Sequence, residues 1–158
     1  MKRVSIACSV LLMAAPALAQ AEPAPTDLTG AFRAAGFTLH GHDWHKCDDP
    51  GTASYSPGHA EQVGDLNGDG LPEVLITEGS AYCYGNTGTA FSLVSKQTDG
   101  WKLMIESTGM ANILSTKGVG GWPDIEIGGP GFCYAVSRWN GSAYKIVRYQ
   151  YEGRACRP

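Results

Sequence analysis

One stretch of the chain places oxygen-bearing side chains on alternate residues of a glycine-rich loop. It reads Asp65-Leu66-Asn67-Gly68-Asp69-Gly70-Leu71-Pro72-Glu73, the pattern DxNxDGxxE. The two glycines permit a sharp turn, so that these oxygens could converge on one point. Hard oxygen ligands in this spacing favour Ca²⁺ over softer metals, which prefer sulfur or imidazole. We therefore predict a calcium site formed by Asp65, Asn67, Asp69, the carbonyl of Leu71, and Glu73. The alternative is an Asn-Gly/Asp-Gly turn whose acids only cap backbone amides.

A histidine-rich segment precedes this loop. His40, His42 and His45 lie within six residues and are followed by Cys47. Such a group could bind copper, nickel or zinc, but its spacing is permissive rather than diagnostic. The alternative is that these histidines are ordinary exposed residues near a hairpin turn.

A second acidic pair and a tryptophan occur further along the chain. Trp122 follows the glycine-rich segment 118–121, which leaves little to cover its ring. We take Trp122 and the nearby Asp124 as a candidate ligand surface, with packing in the core as the alternative for the tryptophan. Asp124 and Glu126 would share one face of a strand and could be read as a catalytic carboxylate pair. The sequence contains no nucleophile elbow or metalloprotease helix, so catalysis is not the favoured interpretation.

The amino terminus has the features of a secretory signal peptide. Met1-Lys2-Arg3 is positively charged, residues 4–15 form an apolar run, and Ala17-Leu18-Ala19 is a small-x-small cleavage site. The run is well short of the roughly 20 residues that span a bilayer. We predict a signal peptide over 1–19, a flexible leader over 20–25, and a periplasmic or secreted protein without a membrane-spanning segment after processing. Loss of Lys2 and Arg3 changes the formal charge from −3 to −5.

The remaining cysteines fit an oxidising compartment. Cleavage removes Cys8 and leaves Cys47, Cys83, Cys133 and Cys156. An even number of widely spaced cysteines without a CxxC pair predicts two disulfides rather than a zinc site. Three pairings are compatible with this number.

The composition indicates strands and tight turns. The chain has 158 residues, only 17% of them charged, and 21 glycines without a collagen period. The low charge density argues against a nucleic-acid-binding domain and against a disordered chain. We predict a helix over 27–35 that ends at Gly36. The candidate strands are 36–40, 44–47, 73–78, 81–85, 90–96, 101–106, 124–127, 132–138 and 143–149.

Two stretches repeat the same order of features. The first has Pro72-Glu73-Val74-Leu75-Ile76, then Tyr82-Cys83-Tyr84, then Gly88-Thr89-Ala90-Phe91. The second has Pro123-Asp124-Ile125-Glu126-Ile127, then Phe132-Cys133-Tyr134, then Gly141-Ser142-Ala143-Tyr144. Three matches in one order predict a degenerate tandem repeat of a small β-meander. By the symmetry of this repeat we favour the pairs Cys83–Cys133 and Cys47–Cys156. Two unrelated hairpins with similar turns are the alternative.

Residues 63–76 resemble the calcium loop and following strand of FG-GAP or VCBS-type repeats, which occur in integrin α-subunit propellers and in bacterial exported proteins. The resemblance extends over about 63–97 and is weaker over 118–144, where the calcium-binding Asp and Asn residues are missing. The chain after residue 19 also resembles small exported bacterial proteins of no assigned activity that share the motif GGWPDIxxGGPGFC, here Gly120 to Cys133. The resemblance to FG-GAP repeats implies a β-propeller-like unit at about 63–106 and a degenerate unit at about 118–149.

These observations together predict one mainly-β domain over 26–158. It would contain two blade-like antiparallel meanders, a short N-terminal helix, one calcium loop and two disulfides. The predicted function is that of an exported calcium-binding module that binds a protein or glycan ligand, and the two units leave oligomerisation open, because propellers have four or more blades. The competing interpretation is a small secreted hydrolase or a hydrolase inhibitor.

Overall fold

The computed structural model describes residues 25–158. The predicted signal peptide, Cys8 and all but the last residue of the predicted leader lie outside the described residues. The chain forms α1 (Pro25–Ala34), β1 (Thr38–His40), β2 (Asp43–His45), β3 (Ser56–Gly64), β4 (Glu73–Gly79), α2 (Ala81–Tyr84), β5 (Thr89–Gln97), β6 (Gly100–Thr108), β7 (Met110–Lys117), β8 (Pro123–Gly128), β9 (Tyr134–Trp139), β10 (Tyr144–Tyr151) and β11 (Arg154–Ala155). The prediction of a mainly-β fold with an N-terminal helix is confirmed.

The strands form two antiparallel sheets in simple sequential order. Sheet 1 has the order β1-β2-β3-β4-β5-β6, and sheet 2 has the order β11-β10-β9-β8-β7. Each sheet therefore contains a four-stranded meander, β3–β6 in the first and β7–β10 in the second. Gly109 connects the two meanders with φ +133°, and a Cβ atom there would lie 2.6 Å from the carbonyl oxygen of Gly128. Only glycine fits at this crossing between the sheets.

Sheet 1 buries both of its faces. On one face, Val74, Ile76 and Val94 pack against α1. On the other face, Leu75 and Leu93 pack against sheet 2. The alternation of the two sets along β4 and β5 follows the period of two of a strand, which sends successive side chains to opposite faces. The molecule therefore has three layers, with sheet 1 between the helix and sheet 2.

The segment predicted as a strand over 81–85 is instead the short helix α2. The Ser80 side chain accepts a hydrogen bond from the Cys83 backbone N–H, which caps the helix amino terminus. The Ser80 hydroxyl also donates to Asp49 Oδ2 at 2.5 Å. This bond holds the start of the helix against the loop between β2 and β3. This serine cap outweighs the strand preference of the Tyr-Cys-Tyr sequence.

Three strands have no counterpart among the predicted elements. They are β3, β7 and β11, and their side chains are mostly exposed or half-buried.

The third match of the sequence repeat pairs strands that are not equivalent. Gly88–Phe91 leads into the third strand of its meander, whereas Gly141–Tyr144 leads into the fourth. The cysteine of each unit does follow the second strand of its meander in both cases.

The favoured disulfide pairing is wrong. The structure has Cys47–Cys83 and Cys133–Cys156, with Cα–Cα distances of 6.2 and 5.8 Å. Each repeat-related cysteine bonds to a cysteine at the outer edge of its own sheet, Cys47 after β2 and Cys156 after β11. The repeat symmetry relates Cys83 to Cys133 as equivalent positions of two different sheets, and this equivalence does not make them partners.

Peptide mapping under non-reducing conditions can test the pairing. Trypsin should release peptide 118–138 joined to peptide 155–158, and peptide 47–96 with an internal bridge, because no Lys or Arg lies between Cys47 and Cys83. Cleavage after glutamate should then open the internally bridged peptide into linked fragments. Peptide 47–96 joined to 118–138 would contradict the observed pairing.

We also expect the double variant Cys133→Ser/Cys156→Ser to lose about 2–4 kcal/mol of unfolding free energy in urea titrations.

Candidate functional site

The loop between β3 and β4 is organised around Asp65. Its carboxylate accepts hydrogen bonds from the backbone N–H groups of Gly68 at 2.7 Å, Asp69 at 3.1 Å and Gly70 at 2.8 Å. Desolvation acts to raise the pKa of Asp65, but these backbone donors outweigh it and hold the pKa below its usual value. Asp65 is therefore ionised at neutral pH, and its hydrogen bonds to three backbone N–H groups stabilise the tight turn of the loop.

The next acidic residue of the loop, Asp69, is joined to Asn67. The Asn67 side chain accepts from the Asp69 N–H at 2.9 Å and donates to Asp69 Oδ2 at 2.9 Å. Asp69 Oδ1 accepts from the Leu71 N–H at 2.8 Å. Asp65 and Asp69 are exposed, whereas Asn67 and Leu71 are half-buried. These four predicted ligands thus occur together in one compact loop.

Glu73 closes the loop from the core side. It is fully buried, and its carboxylate accepts from the Leu66 N–H at 2.7 Å and from the Ser95 hydroxyl at 2.8 Å. Burial raises the pKa of Glu73, and the carboxylates of Asp69 and Asp65 raise it further. The three acids therefore lie close enough to repel one another.

The donor atoms of this loop fit a hard cation. Within residues 25–158, no three His, Cys, Asp or Glu side chains are already arranged as a metal centre. The loop offers instead carboxylate, amide and carbonyl oxygens, without sulfur or imidazole, and Ca²⁺ takes such oxygens together with water. A divalent cation would also offset the repulsion between Glu73 and the two exposed acids.

The loop is seated against sheet 2. The side chain of Leu66 packs into the core between the two sheets. Its carbonyl oxygen accepts a hydrogen bond from Lys117 Nζ at 3.2 Å. Gly121, with φ +79°, approaches so closely that a Cβ atom there would lie 2.5 Å from the Asn67 carbonyl oxygen. The candidate calcium loop thus contacts both layers of the β-structure.

Trp122 and Asp124, predicted to form a candidate ligand surface, are not exposed. Trp122 is 7% exposed and lies in the core between the sheets, with its ring centroid 6.1 Å from that of Trp139. Asp124 is fully buried on the other face of sheet 2. The glycines before Trp122 permit close contact with the calcium loop rather than exposure of the ring, so the segment serves packing.

Asp124 is the centre of an ion-pair network. Its carboxylate accepts from Arg138 through both oxygens at 2.8 Å, from Arg148 at 2.8 Å and from Thr116 at 2.6 Å. Burial acts to raise the pKa of Asp124, but the hydrogen bonds from Arg138, Thr116 and Arg148 overcome this and hold the pKa well below its usual range. Such a carboxylate remains ionised, which does not suit proton transfer near neutral pH.

The histidine group forms part of a hairpin. The rings of His40 and His45 stack with centroids 4.9 Å apart across the β1–β2 pair. His40 and His42 lie beside and in the turn, whereas His45 pairs with Thr38 at the other end of the hairpin. Cys47 is oxidised and therefore provides no thiolate ligand.

Glu78 is a buried acid that the sequence analysis missed. It is 2% exposed and accepts hydrogen bonds from the backbone N–H groups of Lys46 at 2.9 Å and Cys47 at 3.0 Å. The hydroxyls of Tyr55 and Tyr84 also donate to it. Burial and the nearby Glu78 carboxylate raise the pKa values of both tyrosines. Its position at the end of an aliphatic strand gives no signal of these partners, which come from three separate segments.

Comparison with known protein families supports the repeat. Residues 57–93 match the FG-GAP repeat. The match begins in β3, includes the whole candidate calcium loop and β4, and ends in β5. No curated protein and no solved structure matches the chain. The matched segment is thus the part of the chain that forms the loop and supports it.

Two neighbouring glycines allow a matched test of the loop contact. Gly120 has φ +64°, and a Cβ atom there would make only ordinary contact, at 3.8 Å, with Trp122 Cδ1, so we expect Gly120→Ala to cost about 1 kcal/mol through backbone strain. Gly121→Ala adds the clash with Asn67 and should cost about 1–3 kcal/mol more. Urea unfolding monitored by tryptophan fluorescence measures both values. Equal losses in the two variants would contradict the close contact between this segment and the loop.

A second pair of variants tests the Asp124 network. Asp124→Asn leaves Arg138 and Arg148 without a carboxylate, and because both arginines are partly exposed we expect a loss of about 2–3 kcal/mol. Glu126→Gln, on the same face, should cost much less. The pKa of Asp124 is lower in the folded than in the unfolded protein. Its contribution to the free energy of unfolding is therefore fully present above the unfolded pKa of about 4 and declines as the pH falls below that value. The difference between wild type and Asp124→Asn should therefore shrink in acid, and a difference that stays constant down to pH 2 would contradict the role of the ionised carboxylate.

Proposed function

We propose that this protein is an exported interaction module whose two β-meanders are held together by a calcium-binding loop. The observation that carries the proposal is the DxNxDGxxE loop within the segment that matches the FG-GAP repeat. The residues that would hold Ca²⁺ are Asp65, Asn67, Asp69, the carbonyl of Leu71, and Glu73. The FG-GAP repeat suggests a β-propeller-like interaction module.

The position of the loop supports a structural role for the ion. Leu66 and the backbone of Asn67 contact sheet 2, while Glu73 begins β4 of sheet 1. Tightening of this loop would therefore restrain the packing of one meander against the other. In this role the ion supplies positive charge among three acids, and the residues of the chain supply the link between layers.

Two findings are compatible with export. All four cysteines after the predicted signal peptide form disulfides, which persist in oxidising compartments. In the part of the chain that the structure describes, no helix has the length and apolar character needed to cross a membrane. These findings agree with the periplasmic or secreted location predicted from the amino terminus.

An interaction role fits the described residues better than hydrolysis. The carboxylates of Asp124 and Glu126, the one catalytic pair suggested by the sequence, are engaged by arginine, glutamine, asparagine and threonine side chains. The hydrolase and inhibitor alternatives gain no support from a described contact. We propose a protein or glycan as the ligand, and oligomerisation of the two-meander unit remains compatible with this role.

Calcium dependence of thermal stability tests the proposal. With a dissociation constant of about 0.1–1 mM, roughly 1 mM free Ca²⁺ stabilises the native state by about 0.4–1.4 kcal/mol. We expect the melting temperature to be about 1–5 °C higher in calcium than in EDTA. Asp69→Ala should abolish this difference, whereas Asp99→Ala, an exposed acid in the β5–β6 turn, should preserve it. The same melting temperature in calcium and in EDTA for the wild type would overturn the calcium site.

A further inference from the structure

A cavity lies on the α1 side of sheet 1, at the end opposite the candidate calcium loop. Its volume is about 230 Å³. Its floor is formed by β5 and β6, where Ala90 pairs with Thr108 and Ser92 pairs with Glu106. The helix α1 ends at Ala34 and covers the other half of this face, where Val74 and Val94 lie. The cavity is therefore the part of the sheet face that the helix leaves uncovered.

The walls of the cavity are held in place by covalent and polar links. Lys46 and Tyr84 both line the cavity and are the direct neighbours of Cys47 and Cys83, which form a disulfide. Glu78 also joins these two segments, because it accepts from the Lys46 backbone N–H and from the Tyr84 hydroxyl. The cavity is thus preformed, as small-molecule sites usually are.

Some polar groups in the cavity retain hydrogen-bonding capacity. Ser92 is 3% exposed, lines the cavity, and its hydroxyl bonds to no other residue in the range 25–158. Among the described residues, Trp101 Nε1 is the one solvent-shielded side-chain polar atom that lacks a partner. The unpaired Ser92 hydroxyl is therefore open to the cavity, where it can bond to water or to a ligand. Lys46 Nζ donates to the Ala35 carbonyl oxygen and to Glu106 Oε2, which leaves one ammonium proton and Glu106 Oε1 available.

The charges of the cavity favour an uncharged ligand. Glu78 is already satisfied by four donors, and Lys46 and Glu106 neutralise each other as an ion pair. A charged ligand would have to compete with one member of this pair, whereas hydroxyl groups can donate to Glu106 and accept from Lys46 without separating them. The buried ring of Phe37 adds an apolar wall.

We infer that this cavity binds a neutral, polyhydroxylated ring of monosaccharide size, such as the terminal sugar of a glycan. Its volume is below the ~300–1,000 Å³ of sites for drug-sized ligands, which limits the occupant to about one ring. Hydroxyl groups of the sugar would bond to Ser92, Glu106 and Lys46, and its C–H face would contact Phe37. This site is separate from the calcium loop, so either can fail while the other stands.

Chemical-shift mapping tests the inference. The ¹⁵N-labelled protein is titrated with methyl glycosides of glucose, galactose, mannose, fucose and N-acetylglucosamine in the millimolar range. We expect at least one neutral sugar to shift the amide signals of Ser92, Glu106 and Thr108. Glucuronate and glucosamine, which keep the ring of glucose but add a negative or positive charge, should bind more weakly than the neutral form.

Variants of residues inside and outside the cavity serve as matched controls for the titration. Ser92→Ala should weaken binding about fivefold, the factor that corresponds to one neutral hydrogen bond of about 1 kcal/mol. Ser115→Ala, an exposed serine on β7, should leave binding unchanged. Glu106→Gln removes the charge of the half-exposed partner of Lys46 and should also weaken binding. The inference is overturned if no neutral sugar shifts these signals, if a charged analogue binds as tightly or more tightly, or if Ser92→Ala and Glu106→Gln bind like the wild type.

Discussion

The fold depends on one constraint, which is that sheet 1 has two apolar faces to bury. Val74 and Ile76 on one side and Leu75 and Leu93 on the other would all be exposed in an isolated meander. At about 25 cal/mol per Å² of apolar surface, such exposure is too costly for a domain of this size. The helix α1 covers the first face and the second meander covers the other, so we expect the first meander to need both partners for stability.

The candidate calcium loop contacts both of the sheets that bury this apolar surface. It connects β3 to β4 of the central sheet, and it also touches sheet 2 through Leu66 and Gly121. The acids of the loop differ in exposure, because Asp65 is exposed and bound by backbone amides whereas Glu73 is fully buried. Under the proposed function, binding of Ca²⁺ in a loop that links two layers would alter the packing between the sheets. The cavity at the other end of sheet 1 is bounded by a different set of residues.

The sequence predicted the features that local chemistry determines. Aliphatic alternation identified β4 and β5, and the acidic loop was recognised from its spacing alone. The strands β3 and β7 were missed because their exposed side chains carry no alternation of apolar residues. The pairing of the cysteines and the burial of Trp122 depend on which surfaces meet in three dimensions, and a tryptophan beside glycines has the same local sequence whether it is exposed or covered by a second sheet. Glu78 was missed for the same reason, since its partners come from distant segments.

The central claim is that the loop couples the two meanders, and amide hydrogen exchange with and without calcium tests it most directly. If the ion tightens a loop that joins the layers, calcium should slow exchange in 65–73 and also in 118–123, across the interface, while α1 exchanges at the same rate in both conditions. Slower exchange confined to 65–73, or no change in either segment, would contradict the account.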